Sequence, residues 1–267
     1  MKVLFIGDIV GRQGRRAARY MVDRYRSAEG VSFVIANAEN AAGGVGITPD
    51  TADELLGFID VLTSGNHIWK KKEIVNYMFS TYRLLRPANY PEDNPGNGYF
   101  IGTAPSGHQV AVLNLEGRVF MDHPSCPFRT AQALLEEISK HARIIIVDFH
   151  AEATSEKVAM GWFLDGKVSA VLGTHTHVQT ADERILPNGT AYITDVGMVG
   201  PHDSVIGMKP AAVIQRFITG MPTRFEVARG ATMFNAVLLE IDPSSGRALS
   251  IRRINELWEG EASDGSG

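Results

Sequence analysis

Short apolar runs that stop abruptly on glycine, asparagine or an acid recur through the first third of the chain. Residues 3–6, 33–36 and 61–63 carry almost no polar side chain, which fits strands covered on both faces. Between them, residues 12–26 repeat apolar positions at helical spacing, with Ala17, Met21 and Val22 inward and a basic outer face. Thr48-Pro49-Asp50 opens a second helix, because threonine caps, proline suits the first turn and an acid suits the positive end. Residues 71–79 read as a third helix. This βαβαβα beginning predicts a parallel sheet with helices on its faces.

The Pro-, Asn- and Gly-rich stretch 87–98 reads as a loop, with a small lid around 70–100 left open. Residues 99–102 and 109–115 read as antiparallel strands, 130–141 and 155–163 as helices, and 144–147 and 170–172 as buried strands. Pro187-Asn188-Gly189-Thr190 is a hairpin turn. Segments 225–229, 233–241 and 249–256 alternate as strands, with a turn over 242–246, and the small polar residues 261–267 read as a disordered tail. The expected architecture is a single domain over residues 1–260, an α/β fold of two packed sheets with helices outside.

Composition narrows the partners. A formal charge of −4 supplies no electrostatic footprint for duplex nucleic acid or an anionic membrane. The single cysteine, Cys126, excludes an intrachain disulfide and fits a reducing compartment. The apolar run at the start is too short for a signal segment and meets Asp8 at once, and no segment approaches a membrane span, so a soluble cytoplasmic protein is expected. A homo-oligomer is left open.

The chemistry sits where the apolar runs end. Asp8, Glu39-Asn40, Asn66-His67, His150 and His175-Thr176-His177 each follow a candidate strand. Parallel strands end along one edge, so these residues are expected to converge. Oxygen and imidazole donors without cysteine suit two hard-to-borderline divalent ions. Asp8 would hold the first ion, Glu39 would bridge, and Asn40 and Asn66 would each give an amide oxygen. His150 and His175 would hold the second ion, and His177 the first. His175 and His177 would point the same way from an extended segment. Two divalent ions, two carboxylates and a bridging hydroxide sum to about +1, which complements a phosphodiester. His67, beside Asn66, would protonate the leaving oxygen while the bridging hydroxide attacks in line. Gly43-Gly44-Val45-Gly46 could admit a substrate closely, Arg118 and Arg129 are phosphate-contact candidates, His202 is a candidate for the site mouth, and Cys126 with His123 is a thiol alternative.

As a set, Gly7-Asp8-Ile9-Val10-Gly11, Asn37-Ala38-Glu39-Asn40-Ala41-Ala42-Gly43-Gly44, Ser64-Gly65-Asn66-His67-Ile68-Trp69, residues 148–157 and residues 173–180 closely resemble the YmdB-like branch of the calcineurin-like metallophosphoesterases. The resemblance implies a four-layer α/β/β/α sandwich, a dinuclear iron or manganese centre and hydrolysis of cyclic nucleotides, 2′,3′-cyclic and also 3′,5′-cyclic. It makes Asp8, Glu39, Asn40, Asn66, His150, His175 and His177 metal ligands and His67 the catalytic histidine. The chain departs from the broader superfamily in carrying Val10 where many members place a metal-binding histidine, and Glu39 where they place a bridging aspartate. Asn40 would fill the missing coordination. The competing readings are a phosphomonoesterase or nuclease on the same scaffold, or a regulatory metal-binding protein with little turnover.

Overall fold

A computed structural model describes residues 1–121 and 124–260. In chain order the elements are β1 (Lys2–Ile6), β2 (Asp8–Ile9), α1 (Gly11–Glu29), β3 (Phe33–Asn37), α2 (Pro49–Leu56), β4 (Val61–Thr63), α3 (Ile74–Tyr77), β5 (Tyr99–Thr103) and β6 (Gln109–Glu116). They continue with α4 (Pro127–His141), β7 (Ile144–His150), α5 (Thr154–Leu164), β8 (Ala170–Thr174), β9 (Arg184–Ile185) and β10 (Ala191–Ile193). The last are β11 (Met198–Pro201), α6 (Pro210–Thr219), β12 (Thr232–Ile241) and β13 (Ala248–Trp258). The expected tail, 261–267, and His123 of the thiol alternative lie outside the described residues.

Two sheets of seven and six strands form among the described residues. In the first, β1, β3 and β4 run parallel, β12 lies antiparallel to β1, and β13 pairs along the whole of β12. The second has the order β5-β6-β7-β8-β10-β9, parallel from β6 through β10 and antiparallel at both edges.

Strand alternation generates the layers. Val3, Phe5, Phe33 and Ile35 point at Val110, Val112, Ile144 and Ile146 of the other sheet and form the central core. Their neighbours Leu4, Ile6, Val34 and Ala36 point outward onto Ala17, Met21 and Leu55 of the helices. On the far side Leu113, Ile145 and Val147 meet Ala131, Leu135 and Met160. The result is a four-layer α/β/β/α sandwich. Its inner strands read as unbroken apolar runs because both faces are covered.

Local signals explain most element boundaries. Thr51 N donates to Thr48 Oγ1 (3.3 Å) and Thr48 N to Thr51 Oγ1 (2.9 Å), so α2 starts where the sequence places it. The expected helix over 71–79 is instead a 3₁₀ turn, Ile68–Lys70, followed by the single turn of α3. Three successive lysines, 70–72, crowd what would be the helix N-terminus, where the macrodipole disfavours positive charge. The expected strand over 225–229 is also absent. That segment makes only an isolated bridge, Val227 to Met208, because β12 already has partners on both sides. The helix α6 and the short strands β2 and β11 are additions that the sequence pattern did not indicate.

The split of the first strand matters for the site. At Gly7 the chain leaves β12 and β11 slots in, pairing β2 on one side and β12 on the other. A Cβ at Gly7 would lie 2.1 Å from the Gly197 carbonyl oxygen, so only glycine lets the backbones approach this closely. This bend carries Asp8 into the crevice beyond the strand ends.

Candidate metal centre

The sequence-predicted residues meet at one edge of the sandwich, where β1/β2, β3, β4, β7 and β8 all end. Glu39, His150 and His175 have donor atoms within 4.8 Å of one another. His150 Nε2 lies 3.2 Å from Glu39 Oε1, 3.2 Å from Asn66 Oδ1 and 3.0 Å from His175 Nδ1. Asp8 Oδ1 stands 3.9 Å from both His150 Nδ1 and His177 Nε2. Asn40 Nδ2 sits 3.0 Å from His177 Nε2 and 3.3 Å from Glu39 Oε1. His67 Nδ1 is 3.0 Å from Asn40 Oδ1, and its amide donates to Glu39 Oε2. All eight predicted residues therefore belong to one cluster.

Each ring is oriented from behind. Asp148 accepts hydrogen bonds from the Thr63 and Thr174 hydroxyls, and Thr174 Oγ1 lies 2.9 Å from His150 Nδ1. That relay turns His150 Nε2 towards Glu39. His177 Nδ1 donates to the Ile206 carbonyl (2.9 Å), which turns its Nε2 inward. His175 Nε2 faces Glu152 (3.1 Å), which leaves Nδ1 for the cluster. Such outer partners fix both the tautomer and the direction of a ligating imidazole. Asn37, buried between β3 and the second sheet, donates to Asp148 (3.0 Å) and accepts from Glu39 N (3.1 Å), closing the turn that presents Glu39.

The His-x-His segment is not extended, contrary to the sequence argument. His175 (φ 103°) and His177 (φ 65°) both have positive φ, a region histidine enters more readily than most residues. Left-handed backbone, not strand alternation, brings the two rings to one cluster. The turn is held by Asp195, which accepts from Thr176 N (3.1 Å) and Gly197 N (2.8 Å) and pairs with Lys157 Nζ at 2.6 Å. Lys157 and Asp195 are both buried, and removing one member of a buried pair strands the other charge. Lys157→Met is therefore expected to lower unfolding stability by about 3 kcal/mol in denaturant titration.

The electrostatics ask for positive charge. Burial raises the Asp8 carboxyl, and burial likewise pushes Asp148 up to about 6. Burial would also raise Glu39, but the neighbouring His150 and His67 outweigh it and hold Glu39 well below the usual range. Burial disfavours charge on His150, yet the Glu39 and Asp8 carboxylates prevail and lift it to about 9. Burial and the His150 charge drive His175 down to about 3. One imidazolium thus stands in for cations among two carboxylates. Asp8 Oδ1 is buried and accepts no hydrogen bond. Carboxylate, amide and imidazole donors around an orphaned carboxylate oxygen fit divalent metals.

The cluster opens into a cavity of about 650 Å³ lined on one side by Glu39, Asn40, His67, His175 and His177. The other side is apolar and includes Val45, from the glycine-rich turn the sequence offered for close substrate approach, and Met208 and Phe225, which the sequence did not single out because they are far apart in the chain. Arg118, Arg129, His202 and Cys126 do not line it. No described helix is long and apolar enough to cross a membrane.

Comparison with known proteins agrees with this picture. A 2′,3′-cyclic-nucleotide 2′-phosphodiesterase of Bacillus subtilis (strain 168) is 48% identical over 255 residues, covering 95% of this chain and 96% of that protein. A crystal structure described as a hypothetical protein from Thermus thermophilus superposes with a TM-score of 0.90 at 40% identity, covering 98% of this chain and all of that one. Another, described as a novel phosphatase from Mycoplasma pneumoniae, also gives 0.90, at 34% identity over 97% of this chain and 94% of that one. The sandwich is thus of the metallophosphoesterase type. The profile of the YmdB-like protein family matches residues 4–254, and the chain belongs to that family.

Proposed function

We propose that this chain is a metal-dependent phosphodiesterase that hydrolyses 2′,3′-cyclic nucleotides, with 3′,5′-cyclic nucleotides as a further substrate class. Family membership and 48% identity to a phosphodiesterase over 95% of this chain support its being a phosphoric diester hydrolase. The observation that carries the finer reading is the convergence of Glu39, His150 and His175 with Asp8 behind one cavity, which Glu39 and His175 line.

In this reading Asp8, Asn40 and His177 would hold one ion, Asn66, His150 and His175 the other, and Glu39 would join them, with iron or manganese as the metals. When bound, such a pair supplies Lewis acidity to the phosphoryl oxygens and lowers the pKa of water. The protein's own groups do the rest. Asn40 presents its nitrogen to His177 and Glu39, so ligation through oxygen needs its amide turned over. His67 Nδ1 also lies 3.3 Å from Glu39 Oε1, which can accept the Nδ1 proton of a protonated His67. His67 lines the cavity and, when protonated on both nitrogens, would pass its Nε2 proton to the leaving oxygen and keep the one on Nδ1.

Chelator-treated protein should lose hydrolysis of a 2′,3′-cyclic nucleotide and recover it with Mn²⁺ or Fe²⁺. Failure of both ions to restore turnover would count against the reading. In Gly65→Ala, the new Cβ would lie 2.1 Å from His150 Cδ2 and 2.5 Å from Glu39 Oε2, so one of them must move. Displacements of that size cost about 10²-fold in rate, and steady-state kinetics on the folded variant should show it.

A further inference from the structure

We propose that the apolar wall of the cavity is a subsite for the nucleobase, giving the enzyme a preference for phosphodiesters that carry a flat aromatic group. This deepens the phosphodiesterase reading and rests on it. Pockets that enclose small organic ligands span roughly 300–1,000 Å³. The cavity, about 650 Å³, falls inside that range, and the ligand cluster takes up one end of it. The other end is formed by Val45, Ile206, Met208, Arg216, Phe217 and Phe225.

The wall is specifically built. Ile206 has φ 46°, a conformation β-branched residues rarely adopt. Its carbonyl accepts from His177 Nδ1, so one residue both orients a candidate ligand and lends a side chain, half-exposed, to the wall. Gly44, at φ 93°, has no Cβ; one there would fall 2.6 Å from Met208 Cε. That absence lets Met208 pack against the glycine turn next to Glu39 and Asn40. The Arg216 guanidinium lies 5.3 Å from the centre of the Phe225 ring. Phe217, 84% exposed, lines the cavity from α6, and Ile214 and Ile218 on the same face of that helix are also exposed, so the wall continues into an apolar surface patch.

The charges say what the occupant is. Arg216 is the one Lys or Arg among the described lining residues. A polyphosphate or a nucleic-acid strand would find too few cations there. A single phosphoryl group at the metal end with an aromatic body on the apolar end matches both halves. Stacking on phenyl rings accepts any base, so the subsite selects for a base over none and discriminates weakly between bases.

The test compares adenosine 2′,3′-cyclic phosphate with the abasic ribose 2′,3′-cyclic phosphate, using the full chain loaded with Mn²⁺. Wild type should favour the nucleotide in kcat/KM. Phe225→Ala and Phe217→Ala should each cut that preference about tenfold, through KM. An unchanged ratio in both variants overturns the subsite. If Phe225→Ala fails to fold, the exposed Phe217→Ala decides alone. If wild type cleaves neither ester, the phosphodiesterase reading is what fails. The subsite is then judged by equilibrium binding of adenosine 3′-monophosphate against ribose 3-phosphate. A wild-type preference that both substitutions erase supports it, and the lack of any preference overturns it.

Discussion

Glu39→Gln is expected to lower turnover of a 2′,3′-cyclic nucleotide by about 10³-fold or more and to reduce the metal retained after purification. The magnitude follows from the several kcal/mol that bound metal contributes to charge stabilisation in the transition state. Glutamine keeps the size and the hydrogen-bonding capacity towards His67 N, but removes the negative charge that faces His150 from 3.2 Å. As the proposed joining ligand, Glu39 is the residue whose loss weakens both metal positions together. Turnover kinetics with metal analysis of the same preparation checks this. Full metal content with normal turnover would remove Glu39 from the centre.

His67→Ala should behave differently. It is expected to retain metal and lose about 10²–10⁴-fold in kcat, the usual contribution of a positioned proton donor. Its ring is anchored at Nδ1 by Asn40, and its side chain is 29% exposed at the cavity, where a leaving oxygen can reach it. A leaving group of low pKa needs little protonation, so an activated aryl ester should be spared most of the loss. Equal losses on activated and unactivated esters would assign His67 to orientation instead of proton transfer.

The contrast between what the sequence showed and what it hid has a physical cause. Strands buried on both faces write themselves as unbroken apolar runs, so β1, β3, β7 and β8 and the polar residues at their ends were legible. Convergence followed from the parallel order. The segment 225–229 alternated like a strand, but alternation reports extended backbone and burial, and pairing depends on a free neighbour that β12 did not offer. The three lysines before α3 shortened a helix whose apolar spacing was sound. His175 and His177 do join the cluster, but through a geometry other than the expected extended one, because positive φ at a histidine leaves no mark in the pattern. Nothing in the sequence paired Lys157 with Asp195, since their contact spans 38 positions and exists only in the fold. Apart from the glycine-rich turn at 43–46, the apolar cavity wall was hidden for the same reason, being assembled from the 205–208, 213–217 and 225 regions.

Everything rests on two cations sharing the cluster at the strand ends. Anomalous diffraction at the manganese edge, from crystals of the Mn²⁺-loaded chain, addresses that directly. Two peaks about 4 Å apart are expected, with Glu39 between them, Asp8 and His177 on one and His150 and His175 on the other. A single peak, or peaks away from Glu39 in protein that turns over normally, would contradict it.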